Sequence, residues 1–261
     1  MTVTSRANVA SSFTVVKGAM IAETYTAFAR WDFALSKREN LDRLRADNSI
    51  GAKSMTWLRD VAKVLNRRYD PAGRDRPLVR LAQSGCDVSE WKPLLLWHMT
   101  RDEFLVRDFL QNWLFDAYES GVFRIRSSDV MAYLTDIGSR GGKTEHPWSD
   151  TTKKRVAVGL LHIAADFGLL RGAVAREFTG YHLPERSFIY LLHVMTEELG
   201  NPSKVIASPD WRLFLMRPAD VESELFRLHQ FRKLDFQVAG SIVQLSLPCV
   251  DSERYAERMI A

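Results

Sequence analysis

The sequence predicts a mostly α-helical protein in three parts: a helical N-terminal bundle over residues 1–100, a compact central module over 101–200, and a small α+β region over 201–261. Three observations carry this expectation. Apolar residues in the first hundred positions recur at helical spacing between short polar joints, with no convincing strand. The central residues alternate helices with short extended pieces. The last sixty add two segments of alternating polarity around Gly240.

In the first part, Ser36 precedes Glu39 by three residues, the capping-box signature of a helix over 37–46. A longer helix is expected over 53–69, where Met55, Leu58, Ala62 and Leu65 form an apolar stripe and Pro71 and Gly73 end the run. Lys53, Arg59, Lys63, Arg67 and Arg68 fall mostly off that stripe. A third helix over 77–83 stops at Gly85, and Asp87 or Ser89 caps a fourth that buries Trp91, Leu94, Leu95 and Met99.

The central part opens with an amphipathic helix over 101–119, carrying Phe104, Leu105, Phe109, Trp113 and Ala117 on one side. A short strand over 122–125 follows, then a helix over 129–137 capped by Ser127, a loop over 138–147, and a long helix from Ser149 or Asp150 to Phe167. Segments 169–178 and 181–183, joined near Gly180, read as a hairpin. The order helix, strand, helix, helix, hairpin is that of a winged helix-turn-helix, in which the third helix enters the DNA major groove and the hairpin lies along the backbone. At the helical period, Val156, Leu160, Ile163 and Phe167 fall within about 60° of one another, while Thr151, Lys154, Arg155, Val158 and His162 point the other way.

After residue 184 a helix runs to Gly200 and a short turn covers 202–206. A strand is expected over 211–216, a helix from Pro218 to about 231, and strands over 234–238 and 242–247. This order echoes the central module, so a second winged-helix-like unit is one reading. Its helix carries Asp220, Glu222 and Glu224, which argues against a DNA-facing role.

Charge sharpens the functional reading. The net +4 conceals 12 basic against 6 acidic residues over 37–80 and 7 against 3 over 140–176, in a remainder that is otherwise neutral or acidic. Two basic blocks point to a polyanion-facing surface, with merely solvated helix faces as the alternative. The expected duplex DNA contacts are Ser149, Thr151, Thr152, Lys153, Lys154 and Arg155 at the start of the long helix, Arg140 and Lys143 in the loop before it, and Arg171 and Arg176 on the wing. Lys63, Arg67 and Arg68 would extend that footprint if the fold set them on the same side. Apart from Arg155, this outward face lacks the side chains that read bases bidentately, so phosphate charge and shape should dominate and sequence specificity should be modest.

Other chemistries find less support. Gly138 to Thr144 ends in Gly-Lys-Thr, but the first glycine of a phosphate-binding loop would have to stand where Ile137 does, after a strand rather than a helix. His162 with Asp166 and His193 with Glu197 have the spacing of paired metal ligands, yet neither pair has an evident third. No nucleophile is matched with a base, so no catalytic activity, cofactor or metal is expected. The seven tryptophans fall mostly on apolar stripes and read as core. Cys86 and Cys249 cannot build a disulfide framework, and residues 1–18 lack the apolar run of a secretory leader. Both favour the cytoplasm, with no membrane partner.

The stretch Phe13-Thr14-Val15-Val16-Lys17-Gly18, the helix running on to Trp31, the Arg67-Arg68 pair and the segment from Trp148 to Leu170 resemble the BrxA family of bacterial BREX phage-resistance systems. The likeness covers most of residues 13–200. It implies a small, mostly helical, non-catalytic DNA-binding accessory protein, encoded beside methyltransferase and ATPase components that are candidate partners. The competing expectation from the residues is an adaptor whose winged-helix module docks a partner protein. The sequence leaves the oligomeric state open.

Overall fold

A computed structural model describes residues 8–144, 146–240 and 242–260. The N-terminal part is helical throughout: α1 (Ser12–Val16), α2 (Ile21–Ala29), α3 (Lys37–Asp47), α4 (Met55–Arg68), α5 (Arg76–Gln83) and α6 (Val88–Thr100). The capping box is formed, with Ser36 Oγ accepting from the Glu39 amide and Glu39 Oε2 accepting from the Ser36 amide at 2.7 Å. Ser54 and Asp87 cap α4 and α6 through their side chains. Helix α1 begins at its Ser11 cap, and Gly18 ends the segment at φ +83°, a left-handed conformation that glycine adopts without strain.

The expected helix over 101–119 starts later and is not uniform. It comprises α7 (Phe104–Asp108), a π-helical turn (Phe109–Leu114) and α8 (Phe115–Glu119). The wider turn brings Leu110 and Gln111 into the interior beside Phe109 and leaves Trp113 only partly buried. Gln111 Nε2 thereby donates to Asp210 at 2.6 Å. The strand expected over 122–125 reduces to a single bridge, in which Ile125 and Arg176 exchange both backbone hydrogen bonds at 2.8 Å. Helix α9 (Met131–Thr135) is shorter than expected, and Asp129 rather than Ser127 closes the turn before it by accepting from the Arg126 amide.

Helix α10 (Asp150–Asp166) has the expected Ser149 cap. The hairpin after it consists of β1 (Leu170–Arg171) and β2 (Glu177–Phe178), pairing Leu170 with Phe178 and Arg171 with Glu177. Its turn therefore lies over 172–176, where Gly172 has φ +99°, and not at Gly180. A Cβ at Gly172 would stand 2.5 Å from the Ala175 carbonyl oxygen, so the tight turn itself requires the glycine.

The C-terminal part holds α11 (Glu185–Leu199), α12 (Pro202–Ile206), α13 (Pro218–Gln230), β3 (Asp235–Ala239), β4 (Ile242–Ser246) and α14 (Ser252–Ile260). The strand expected over 211–216 is instead a 3-10 helix (Pro209–Phe214). Ser208 caps it, and indole bonds fix it: Trp211 Nε1 donates to the Val205 carbonyl at 2.7 Å and Trp97 Nε1 donates to Asp210 at 2.9 Å. Without that strand the strand-helix-hairpin echo of the central module is lost. Helix α14, which the polarity pattern did not reveal, buries Tyr255, Ala256 and Met259 against α5 and α11. Arg80 of α5 pairs with Glu257 at 3.0 Å and with Glu253 at 3.4 Å, closing the chain's end onto its beginning. The buried apolar side chains form one cluster from Ala10 to Met259 that draws on all three parts.

A buried polar network centred on Asp75 lies within that core. His98 bridges Asp75 (2.7 Å) and Tyr190 (2.9 Å), joining α5, α6 and α11, while Arg74 clamps Asp75 and Asp102. Burial holds the His98 imidazole below its ordinary pKa against the pull of Asp75. Asp75 stays ionised because the His98 hydrogen bond and the Arg74 charge outweigh its own burial.

Candidate nucleic-acid interface

The site is organised by α1, five residues that lie between α4 and α10. Arg68, fully buried, holds α1 from below: its Nη2 donates to the Thr14 carbonyl at 2.9 Å, Nη1 to the Ala19 carbonyl at 3.1 Å and Nε to Glu103 at 3.1 Å. Thr14 Oγ1 completes the network by donating to the same carboxylate at 2.9 Å. Arg67 donates to the Val9 carbonyl at 3.0 Å and faces Glu103 at 3.6 Å. On the other side α1 packs on α10 at Gly159, where a Cβ would stand 2.7 Å from the Val15 carbonyl oxygen. A mid-helix glycine costs roughly 1 kcal/mol of helix propensity, and here its missing side chain is what admits α1.

This placement corrects part of the expected footprint. Arg68 cannot reach a ligand, and Arg67 is largely occupied in tethering the segment before α1. Arg176, 5% exposed, points inward beside the Ile125 bridge, where burial lowers its pKa despite the charge of Asp166. Arg140 is folded over the Tyr133 ring at 4.0 Å and donates to Asp108 at 3.0 Å, so it clips α9 to α7. An arginine whose guanidinium donates to carboxylates and carbonyls of the fold, as in Arg68 and Arg140, is a structural fastener, because those donors are used inside the protein.

The remaining residues do come together. Along α10, Thr151, Lys154, Arg155, Val158 and His162 are exposed, whereas Val156, Leu160, Ile163 and Phe167 are buried, as the helical period predicts. Lys154 and Arg155 make no ion pair or hydrogen bond among the described residues. Lys153 is half-buried and faces Asp150 at 3.6 Å; Thr152 is half-buried and bonded to the Ser149 cap. Across α1, Lys63 is exposed with its ammonium 5.4 Å from the Phe13 ring, while Lys17 lies 5.7 Å from the same ring and pairs with Asp60 at 2.6 Å. Phe13 lines a cavity of about 260 Å³ with Arg67, Trp148 and Thr152, so the α4 and α10 cations flank one short helix. Arg171 stands out on the hairpin, 72% exposed, 3.5 Å from Glu177.

The loop holding Gly-Lys-Thr has its amides engaged internally. Gly142 donates to the Ile137 carbonyl at 3.1 Å and Lys143 to the Asn8 carbonyl at 2.8 Å, leaving neither to cradle a phosphate. A Cβ at Gly142 would strike Ile137 and Phe104, so this glycine serves packing. The Lys143 side chain remains exposed. Among the described residues no three His, Cys, Asp or Glu side chains converge as a metal site. His193 stacks on Tyr255 while Glu197 accepts from Ser252, whereas His162 and Asp166 line a surface groove beside α1.

Sequence reading missed α1 as the organiser and Gly159 as its seat. The available signal was a glycine inside an otherwise well-formed helix, which often marks a close approach. Among the described residues no helix is long and apolar enough to cross a membrane. No curated protein and no solved structure matches the chain. The segments that converge here are those of the earlier resemblance, and with residues 11–193 matched by the BrxA family model, a span that takes in α1, the Arg67–Arg68 pair and α10, the chain belongs to the BrxA family.

Proposed function

We propose that the protein is a non-catalytic accessory protein of a BREX-type phage-defence system that binds duplex DNA, mainly through its phosphates. Family membership supports the defence role. The observation that carries the DNA reading is the set of cations on either side of α1, with Lys154 and Arg155 on α10 unpaired among the described residues and Lys63 on α4. The central module is read as a winged helix: Ile125 bridges to Arg176 beside the β1–β2 hairpin, and α10 takes the place of the groove-entering helix. In this reading the first turns of α10 approach the backbone with Ser149, Thr151, Lys154 and Arg155, and Arg171 and Lys143 add contacts at the edges. Few side chains are placed to read base edges, so affinity is led by charge and sequence preference is small.

The test is a fluorescence-anisotropy titration against unrelated duplexes and a matched single strand at two salt concentrations. Salt-sensitive duplex binding with little sequence preference is expected, weakened and flattened in its salt slope by K153E/K154E/R155E. Unchanged affinity in the triple variant sinks α10 as the contact surface.

A second reading, an adaptor for partner proteins, draws on the C-terminal part, where Phe231 and Ile242 are each 63% exposed and Phe226 and Val238 lie exposed on the same α13–hairpin unit. A stoichiometric partner retained after nuclease treatment, with no duplex binding at low salt, would move the assignment there.

A further inference from the structure

A cavity of about 210 Å³ opens where the first turn of α11, the last turns of α14, the turn after α13 and the end of β4 meet. It is smaller than a drug-sized site and suits one compact group. Its cations come from three separate places: Arg186 of α11, Lys233 after α13 and Arg258 of α14. Among the described residues Glu185 is the one carboxylate that lines it, so three positive charges against one negative leave the lining at +2. Glu185 is already shared between Arg227 at 2.9 Å and Lys233 at 3.5 Å. Arg186 gives one Nη to Glu90 at 3.0 Å and the other to the Met259 carbonyl, which its charge thereby covers. Arg258 is exposed and makes no ion pair or hydrogen bond among the described residues. Tyr255 is the sharpest indicator. It is 5% exposed and its ring stacks on His193, yet its hydroxyl has no hydrogen-bond partner among the described residues, which a buried hydroxyl ordinarily finds. Burial raises its pKa and the charges of Arg186 and Arg258 oppose the rise, so both arginines act on the hydroxyl from the cavity they line with it. The α11 N-terminus adds positive potential, since Pro184 offers no side-chain acceptor there.

From this we infer that the cavity binds a small phosphate monoester, its dianion held by Arg186, Lys233, Arg258 and the Tyr255 hydroxyl and its carbon stem set against Ile189, Pro248 and Met259. The donor set selects this class. Donors arriving from three separate places suit a tetrahedral group with three free oxygens better than a planar carboxylate with two, and a lining of +2 matches a phosphate monoester past its second ionisation. A phosphodiester carries one charge and substituents on two sides, so a DNA backbone does not match this lining. The inference goes beyond the duplex reading and does not rest on it.

The experiment is calorimetric titration of the full chain, at constant ionic strength, with phenyl phosphate, inorganic phosphate, dimethyl phosphate and benzoate. Phenyl phosphate is expected to bind saturably with a Kd between about 10 and 1000 μM, several-fold tighter than inorganic phosphate and about tenfold or more tighter than dimethyl phosphate or benzoate. R258E, at an exposed position, and Y255F, which keeps the ring on His193, should each weaken binding about tenfold or more by removing a donor to the dianion. Without ligand both should melt like the wild type, because neither change removes a hydrogen bond seen among the described residues. K154E/R155E should bind phenyl phosphate like the wild type and R258E should bind duplex like the wild type, so failure of this site and failure of the duplex reading are told apart. Absence of saturable phenyl phosphate binding overturns the proposal, as does benzoate or dimethyl phosphate binding as tightly, Y255F or R258E binding phenyl phosphate like the wild type, or loss of that binding in K154E/R155E.

Discussion

Two basic segments that look alike in the sequence do opposite things in the fold. The end of α4 carries Arg67 and Arg68, and the start of α10 carries Lys154 and Arg155; both lie beside apolar helical stripes. The first pair turns inward, where Thr14, Ala19 and Glu103 satisfy Arg68 completely. The second pair faces solvent with no internal partner among the described residues. Local charge therefore does not report solvation. A buried guanidinium is stable only where carbonyls and a carboxylate converge on it, and that convergence is made by distant parts of the chain.

The contrast is open to direct tests. The largest effect is expected at Arg68: R68A leaves Glu103 buried without its guanidinium and should destabilise the fold by about 3–5 kcal/mol. Urea unfolding would show it, and a loss under about 1 kcal/mol would mean that Arg68 is not the fastener described here. The matching exposed change, R155A, should alter stability by no more than about 0.5 kcal/mol.

A buried histidine adds a pH-dependent test. His193 is 2% exposed and burial lowers its pKa to about 4 from the ordinary 6.5. Between those two values the unfolded chain takes up a proton that folded His193 does not, so stability falls as pH drops from about 6.5 to 4. The full pKa difference corresponds to about 3 kcal/mol. H193F, which keeps a ring against Tyr255, should lose correspondingly less stability across this window than wild type. Equal acid sensitivity of H193F and wild type would count against the depressed pKa.

On the exposed face, K154E/R155E should lower duplex affinity by roughly 30- to 100-fold at moderate salt and reduce the salt slope by about 2. Adding K153E should change affinity less than either of the first two reversals, because Lys153 is half-buried beside Asp150. A dominant effect of K153E would move the contact surface around the helix.

A change at the seat of α1 is expected to have an informative sign. Alanine is the better helix former, so G159A in an isolated helix is stabilising by about 1 kcal/mol. Against α1 the new methyl meets the Val15 carbonyl, so G159A should instead destabilise the protein by about 1–2 kcal/mol. A net gain in melting temperature would mean that α1 does not sit tightly on α10.

Helix caps and faces were legible because they depend on residues a turn or two apart. The Ser36–Glu39 box, the Ser149 cap and the two faces of α10 all follow from such spacing. The hairpin was foreseen in kind but misplaced: β1 and β2 pair locally around Gly172, and Ile125, far away in the chain, bridges to Arg176 at the end of that turn. Residues 211–216 mixed apolar and basic side chains in a way that fits a strand; Val205, Asp210 and Trp97 made them a 3-10 helix.

By itself, then, the sequence determined that this chain is mostly helical, where most of its helices begin and which side of α10 stays in water. Those properties are set by hydrogen bonds and apolar periodicity within a few residues. Only the tertiary structure decided which arginines are fasteners and which stay exposed to solvent. The partners of Arg68 lie 35, 49 and 54 residues away, and nothing in its own neighbourhood could announce that they would surround it.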